Sequence, residues 1–433
     1  MRGMLLTASV SCAAMVWAAT PTISPDTFTF RNPEFSSEVH IAFELEGEPG
    51  IVTLEIATNG VSIGSANFLP GIVEPATGKN PLGGVVQTGR HELVWDAHKT
   101  WPDHKFAAGE IVATLKAWSL DLPPPYMVVD ILTGTNITWY VDEDSLPGGV
   151  TNRLYREDRF VMRRIPAAGV KWLMGAGVNP PVYDKTNCYV TVSNDYYIGI
   201  WPVTQDQYWK VYVKTGANYA NASPSSNGSG KPLTEADHAD DLVAFRPVEN
   251  MQYNHLRGVS PTYNWPSTGY EVDPDRFFGK LRGRTGLMFD LPTAAQWEYA
   301  ARAGANTAWH FGDTWDDAYG WYKETAGGVT HPVGRKLPNR WGLYDVCGNV
   351  WEKCIDWSPG YRTDDPREDP VGCDGPQPYK QWTLGREVRN GPCNSGGSNG
   401  CRAAIVNDVA PDTSNAQCGF RLWCPVSVRS IVR

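Results

Sequence analysis

Along the first third of the chain, apolar and polar residues alternate with a period of two. Ile51-Val-Thr-Leu-Glu-Ile-Ala57, His91-Glu-Leu-Val-Trp95 and Glu110-Ile-Val-Ala-Thr-Leu-Lys-Ala-Trp118 all carry this pattern, which predicts half-buried strands. Turn clusters such as Asn59-Gly60 and Pro81-Leu-Gly-Gly84 separate them. About seven short strands at this spacing predict an all-β sandwich of the immunoglobulin-like kind over residues 22–145. Trp95 is expected to anchor its core.

Farther on the alternation fades and helix signals appear. Thr204-Gln-Asp-Gln207 and Thr293-Ala-Ala-Gln296 are capping boxes, in which the Thr hydroxyl accepts from the third helical N–H and the Gln reaches back. The first helix is expected to run through Tyr208, Val211 and Tyr212 until Gly216, the second over Ala294–Ala303 with Gly304 as its stop. A third is expected over about Asp275–Leu281. Asn221–Gly230 reads as a surface loop, and Pro123-Pro-Pro125 with Pro147-Gly-Gly149 marks a join. The expected organisation is a sandwich over 22–145, a linker over 146–160, and an α+β domain with much irregular structure over 161–433.

Composition narrows the function classes. The chain has 433 residues, 42% hydrophobic and 20% charged, with a formal net charge of −9. That balance suits a folded multidomain protein and argues against a nucleic-acid or anionic-membrane partner. No run is long enough for a transmembrane helix. Arg2, the apolar stretch Met4–Trp17 and Ala18-Ala19 read as a signal peptide over 1–19, so export to a periplasmic or extracellular space is expected. Beyond Cys12 eight cysteines remain, seven of them after residue 340, and an even number in an exported chain favours disulfides.

The segment Asn339-Arg-Trp-Gly-Leu-Tyr-Asp-Val-Cys-Gly-Asn-Val-Trp-Glu-Lys-Cys-Ile-Asp-Trp357 follows neither period. Its order must come from glycine turns, indole anchors and paired carboxylates. It resembles the Gly-Leu-Tyr-Asp-x-x-Gly-Asn-Val-Trp-Glu signature of the formylglycine-generating (sulfatase-modifying factor) enzymes. Further matching blocks follow in order over about residues 161–424: Arg164-Ile-Pro-Ala-Ala-Gly169, Tyr196–Thr204, Arg246-Pro-Val-Glu-Asn250, Phe289–Arg302, His331-Pro-Val-Gly334, Cys401-Arg-Ala-Ala404 and Gly419-Phe-Arg-Leu422. The resemblance implies a C-type-lectin-like fold. Gly89–Asp96 with Ala107–Thr114 similarly resembles an Ig-like module of secreted bacterial proteins. Arg421 and Glu298 are expected in buried hydrogen-bonded pairs.

The resemblance also implies chemistry. Such enzymes oxidise a substrate cysteine to formylglycine with O2, on protein or peptide substrates such as sulfatases. Their turn binds calcium, which here would take the Asp345 and Glu352 side chains and the Gly348 and Val350 carbonyls, hard oxygen ligands that suit the ion. A second calcium site has no clear match in Tyr319–Thr330. Copper(I) is held by two thiolates five residues apart. Counting back from Gly419-Phe-Arg421 places Cys393 on the first and Ser398 on the second, with Cys401 the nearest substitute. Counting forward from Val388 places Gly391-Pro392-Cys393 on a Gly-Gly-Ser instead. Cys393 and Cys401 are therefore the candidate catalytic pair. Bacterial relatives imply a Cys354–Cys401 disulfide, which leaves Cys393 alone or paired with Cys373, Cys418 or Cys424. Pro392 is expected to remove a donor from a strand ladder. The other reading is a catalytically inactive lectin-like protein that binds glycan or protein. The three-histidine iron site of another branch is not indicated, because no helical His-x-x-x-His occurs.

Overall fold

The computed structural model describes residues 8–10, 20–33, 36–104, 109–175, 188–212, 241–259, 262–263, 265–266, 268–358, 367–370, 385–393, 397–414 and 417–431. The chain divides into two compact units. One comprises residues 1–128, 137–152 and 427–433; the other comprises 129–136 and 153–426.

The first unit is built from mainly antiparallel strands. Gly50–Thr58 pairs with Ile111–Trp118, aligning Ile56 with Ala113 and Leu54 with Leu115. In a second sheet Glu38–Glu46 pairs with Gly89–Asp96, aligning Ile41 with Leu93 and Val39 with Trp95. Inward residues of both sheets meet in one apolar core. The Glu38–Glu46 strand, not among those expected, has the cleanest alternation: Val39, Ile41, Phe43 and Leu45 are buried while Glu38, His40 and Glu46 are exposed. Trp95 is a core anchor, 1% exposed, with its Nε1 donating to Thr100 Oγ1 at 2.9 Å. Within 1–19 only Ala8–Val10 is described, as a strand parallel to Ala113–Leu115.

The second unit mixes short helices, short strands and long irregular stretches. Trp351–Trp357 is the strand that positions the candidate site. It runs antiparallel to Arg386–Arg389 and parallel to Cys418–Phe420, and Val406–Val409 extends the sheet. Arg159–Ile165 pairs with Tyr196–Gly199, which pairs with Trp423–Pro425. Much of the expected 146–160 linker is thus structured within this unit, since Leu154–Glu157 is helical. The Tyr155 carbonyl accepts from Gln207 Nε2 at 3.0 Å.

Both capping boxes form. Gln207 N donates to Thr204 Oγ1 at 3.1 Å and Thr204 N to Gln207 Oε1 at 3.0 Å, opening the helix Gln205–Tyr212. Thr293 and Gln296 repeat the exchange at 3.1 and 2.9 Å. The helix they open, Ala294–Arg302, stops before Gly304 because Ala303 already turns left-handed, at φ 47°. The third helix spans Phe277–Thr285 rather than 275–281. Asp273 Oδ1 accepts from Asp275 N at 2.9 Å, which holds the preceding residues in a turn, and left-handed Gly286 closes the far end. Gly216, Asn221–Gly230 and Cys373 lie outside the described residues.

Candidate functional site

The turn before Trp351–Trp357 is set by backbone requirements. Asp345, Gly348 and Asn349 have φ of 54°, 90° and 72°. Gly348 has no alternative, because a Cβ there would run into the Trp321 carbonyl. Asn339 anchors the entry. Its amide donates to the Ala300 and Ala301 carbonyls at 2.8 and 3.0 Å, and its Oδ1 accepts from Trp341 N and Leu343 N at 3.0 Å each. Asn349 ties the exit to His331, with Oδ1 accepting from His331 N and Nδ2 donating to its carbonyl, both at 3.0 Å.

The turn's carboxylates face inward. Glu352 is fully buried and accepts two bonds from Arg421, Nε at 2.9 Å and Nη2 at 2.8 Å. Trp297 Nε1 donates to it at 2.6 Å. Arg421 also donates to the Gly199 and Tyr344 carbonyls, at 2.8 Å each. Glu298 accepts from Arg302 Nε and from Arg389 Nη1 at 2.8 Å. Both expected buried pairs are present, each with a different partner.

Asp345 is buried, and its oxygens accept from Gly334 N at 2.7 Å and Asn349 Nδ2 at 3.4 Å. Burial raises its carboxyl to about 6. The Gly348 and Val350 carbonyls accept from one nitrogen, Asn390 Nδ2, at 2.6 and 3.2 Å, and Asp345 O accepts from the same nitrogen at 3.0 Å. The four residues expected to ligate calcium therefore do converge. Their lone pairs, however, are turned to Arg421, Trp297, Gly334, Asn349 and Asn390. As arranged, this donor set does not fit calcium.

The two candidate catalytic cysteines are brought together by loop packing. Asn390, at φ 73°, turns the chain out of the Arg386–Arg389 strand. Pro392 consequently lies past the strand's end and removes no ladder bond. Cys393 N donates to the Asn349 carbonyl at 3.1 Å. The bare Cα of Gly391 lies against the Gly400 carbonyl, next to Cys401 in the 3-10 turn Ser398–Cys401. The Ser398 carbonyl accepts from Trp309 Nε1 at 3.3 Å. Cys393 and Cys401 are 3% and 1% exposed. Burial, with Glu249 nearby, pushes the Cys393 thiol up to about 12. Burial, with Cys393 nearby, does the same to Cys401. Cys347, Cys354, Cys393, Cys401, Cys418 and Cys424 carry no disulfide. The expected Cys354–Cys401 bridge is not formed, because Cys354 lies inside the strand beside Glu352.

Three buried polar residues escaped the sequence, and of these Asn390 contacts the turn. Asn390 had no local signal, since its partners lie 40 to 45 residues away. Lys353 is fully buried, and its Nζ has no hydrogen-bond partner among the described residues; burial lowers its pKa despite nearby Cys418. His310 is buried with Nε2 likewise unpartnered, and burial lowers it to about 4. Among the described residues no helix is long and apolar enough to cross a membrane.

Comparison with known proteins gives the following. The model of the sulfatase-modifying factor enzyme 1-like domain matches residues 167–424. The formylglycine-generating enzyme of Streptomyces coelicolor is 35% identical over 148 residues, 30% of this chain and 45% of that protein. The enzyme of the same name from Thermomonospora curvata is 34% identical over 151 residues, 30% of this chain and 48% of that one. The matched stretch thus spans about half the length of these relatives. Among solved structures, Treponema denticola variable protein 1 aligns with a TM-score of 0.46 and 26% identity, covering 62% of this chain and 95% of that one.

Proposed function

From the premise that this chain belongs to the sulfatase-modifying factor enzyme 1-like family, through residues 167–424, we propose that it oxidises a cysteine of an exported protein or peptide substrate to formylglycine, with Cys393 and Cys401 as the working thiols. The observation that carries this reading is that the two thiols are neighbours and neither is in a disulfide. An inactive scaffold would be expected to spend Cys393 on a structural bridge.

The donor set fits copper(I), which takes two soft sulfur ligands. Bound there, the ion would supply the one-electron chemistry that lets O2 react. The chain's own part is to position and shield. Burial holds both thiols protonated near neutral pH, so they give up their protons only to a metal. Gly391, whose bare Cα lies against the Gly400 carbonyl, lets the two loops approach, and the Cys393 N–H bond to the Asn349 carbonyl ties the Cys393 backbone to the turn. In the overall reaction the substrate's Cβ–S bond is replaced by C=O. Sulfur leaves as hydrogen sulfide and the second oxygen atom as water. Two electrons and two protons come from an external thiol reductant. The chain would do this outside the cytoplasm, after its leader is removed.

Copper(I) titration against a competing chelator, together with mass spectrometry of a cysteine peptide incubated with the protein, O2 and a thiol, tests the proposal. Stoichiometric copper and aldehyde formation, both lost in Cys393→Ser and in Cys401→Ser, are expected. Equal copper affinity in wild type and both variants would sink it.

A further inference from the structure

The oxygens that the family's turn would offer a cation are each met by a donor of the protein itself. Asn390 is fully buried. Its Nδ2 lies within hydrogen-bond distance of three carbonyls, those of Asp345, Gly348 and Val350. Its Oδ1 accepts from Gly348 N at 2.6 Å. Two of those carbonyls are the two expected calcium ligands, so one N–H2 group sits where their lone pairs converge. The charge is settled as well. Glu352 is paired with the Arg421 guanidinium through two bonds, and Asp345 is held by donors from Gly334 and Asn349. A dication would have to displace the amide and compete with Arg421 for Glu352.

We propose that in this protein the side-chain amide of Asn390 takes the place of the turn's calcium ion, making the Asp345–Glu352 turn metal-independent. A buried amide suits the task. Its two N–H groups answer inward-facing carbonyls that would otherwise be costly to leave unmet, and its Oδ1 takes the one N–H of the turn that points the same way. The left-handed backbone at Asn390 is one that asparagine adopts more readily than most residues. Because Asn390 is three residues before Cys393 in the chain, its hydrogen bonds also tie the turn to the Cys393 loop, where an ion would make such a link only while bound. The inference is independent of the proposed oxidation, because it is read from thermal stability and not from turnover.

The experiment is thermal unfolding of the full chain in EGTA and in millimolar calcium chloride. No change in the wild-type melting temperature is expected, and a calcium-raised wild-type melting temperature overturns the proposal. In Asn390→Asp a carboxylate replaces the amide donor beside the same carbonyls. This variant is expected to be weakened in EGTA and to recover several degrees with calcium, as linkage requires of a ligand that binds only the folded state. A folded Asn390→Asp that ignores calcium overturns the proposal as well. If the variant does not fold in either buffer, the wild-type comparison decides.

Discussion

Replacing Glu352 with Gln keeps the shape of the turn and removes one charge. In the native protein both carboxylate oxygens are used: Oε1 by Arg421 Nη2, and Oε2 by Arg421 Nε and Trp297 Nε1. The side chains of Glu352 and Arg421 are both 0% exposed. In Glu352→Gln an amide N–H2 must face a guanidinium N–H, donor against donor, and the Arg421 charge is left buried without its counter-ion. Breaking one half of a buried pair costs about 3–5 kcal/mol. Arg421 keeps its Gly199 and Tyr344 carbonyl bonds, so the lower half of that range is expected. Arg421→Met should cost a similar amount. The double variant should be more stable than the sum of the singles by at least about 2 kcal/mol, because the second change removes the orphaned charge. Urea unfolding followed by tryptophan fluorescence measures all three, and the losses should be the same in EGTA and in calcium. A Glu352→Gln loss below about 1 kcal/mol, or strict additivity, refutes the reasoning.

Other sites give further expectations. Lys353 has a fully buried amine without a hydrogen-bond partner among the described residues, so Lys353→Met should stabilise the second unit by roughly 1–3 kcal/mol at neutral pH. Because burial depresses this lysine's pKa, the wild-type cost should grow as pH falls below the ordinary lysine value; a destabilised Lys353→Met by urea titration contradicts this. His310 packs edge-on to Phe311 and Tyr319, with centroids at 4.9 and 5.1 Å, and titrates at about 4. Its folded value is depressed, so the unfolded chain takes up the proton first as pH falls. Its stability contribution is full above about 6.5 and is lost toward 4, at most about 3 kcal/mol. His310→Phe should flatten that limb of a stability-against-pH curve, and an unchanged limb contradicts the assignment.

What could be read from the chain divides by range. The capping boxes at Thr204 and Thr293 need only residues three apart, and both form as their letters imply. The alternation at Val39, Ile41, Phe43 and Leu45 is equally local. Helix ends were less legible. At Ala303 the left-handed turn begins one residue ahead of the glycine that advertises it, and near Asp275 the Asp273 side chain preempts the helix start. Least legible was where lone pairs turn. Asp345, Gly348, Val350 and Glu352 are spaced like cation ligands, and spacing is a property of the backbone. Which donor meets those oxygens depends on Asn390 and Arg421, which reach them from 40 to 69 residues away along the chain. Neither residue alters the motif's spelling. The same holds for the thiols: Cys393 and Cys401 look mismatched in sequence, and become neighbours where the bare Cα of Gly391 lets its loop lie against the Gly400 carbonyl. A motif therefore specifies a backbone shape and a set of available atoms, while the chemistry performed there is decided by distant side chains that fill, or leave open, the space those atoms face.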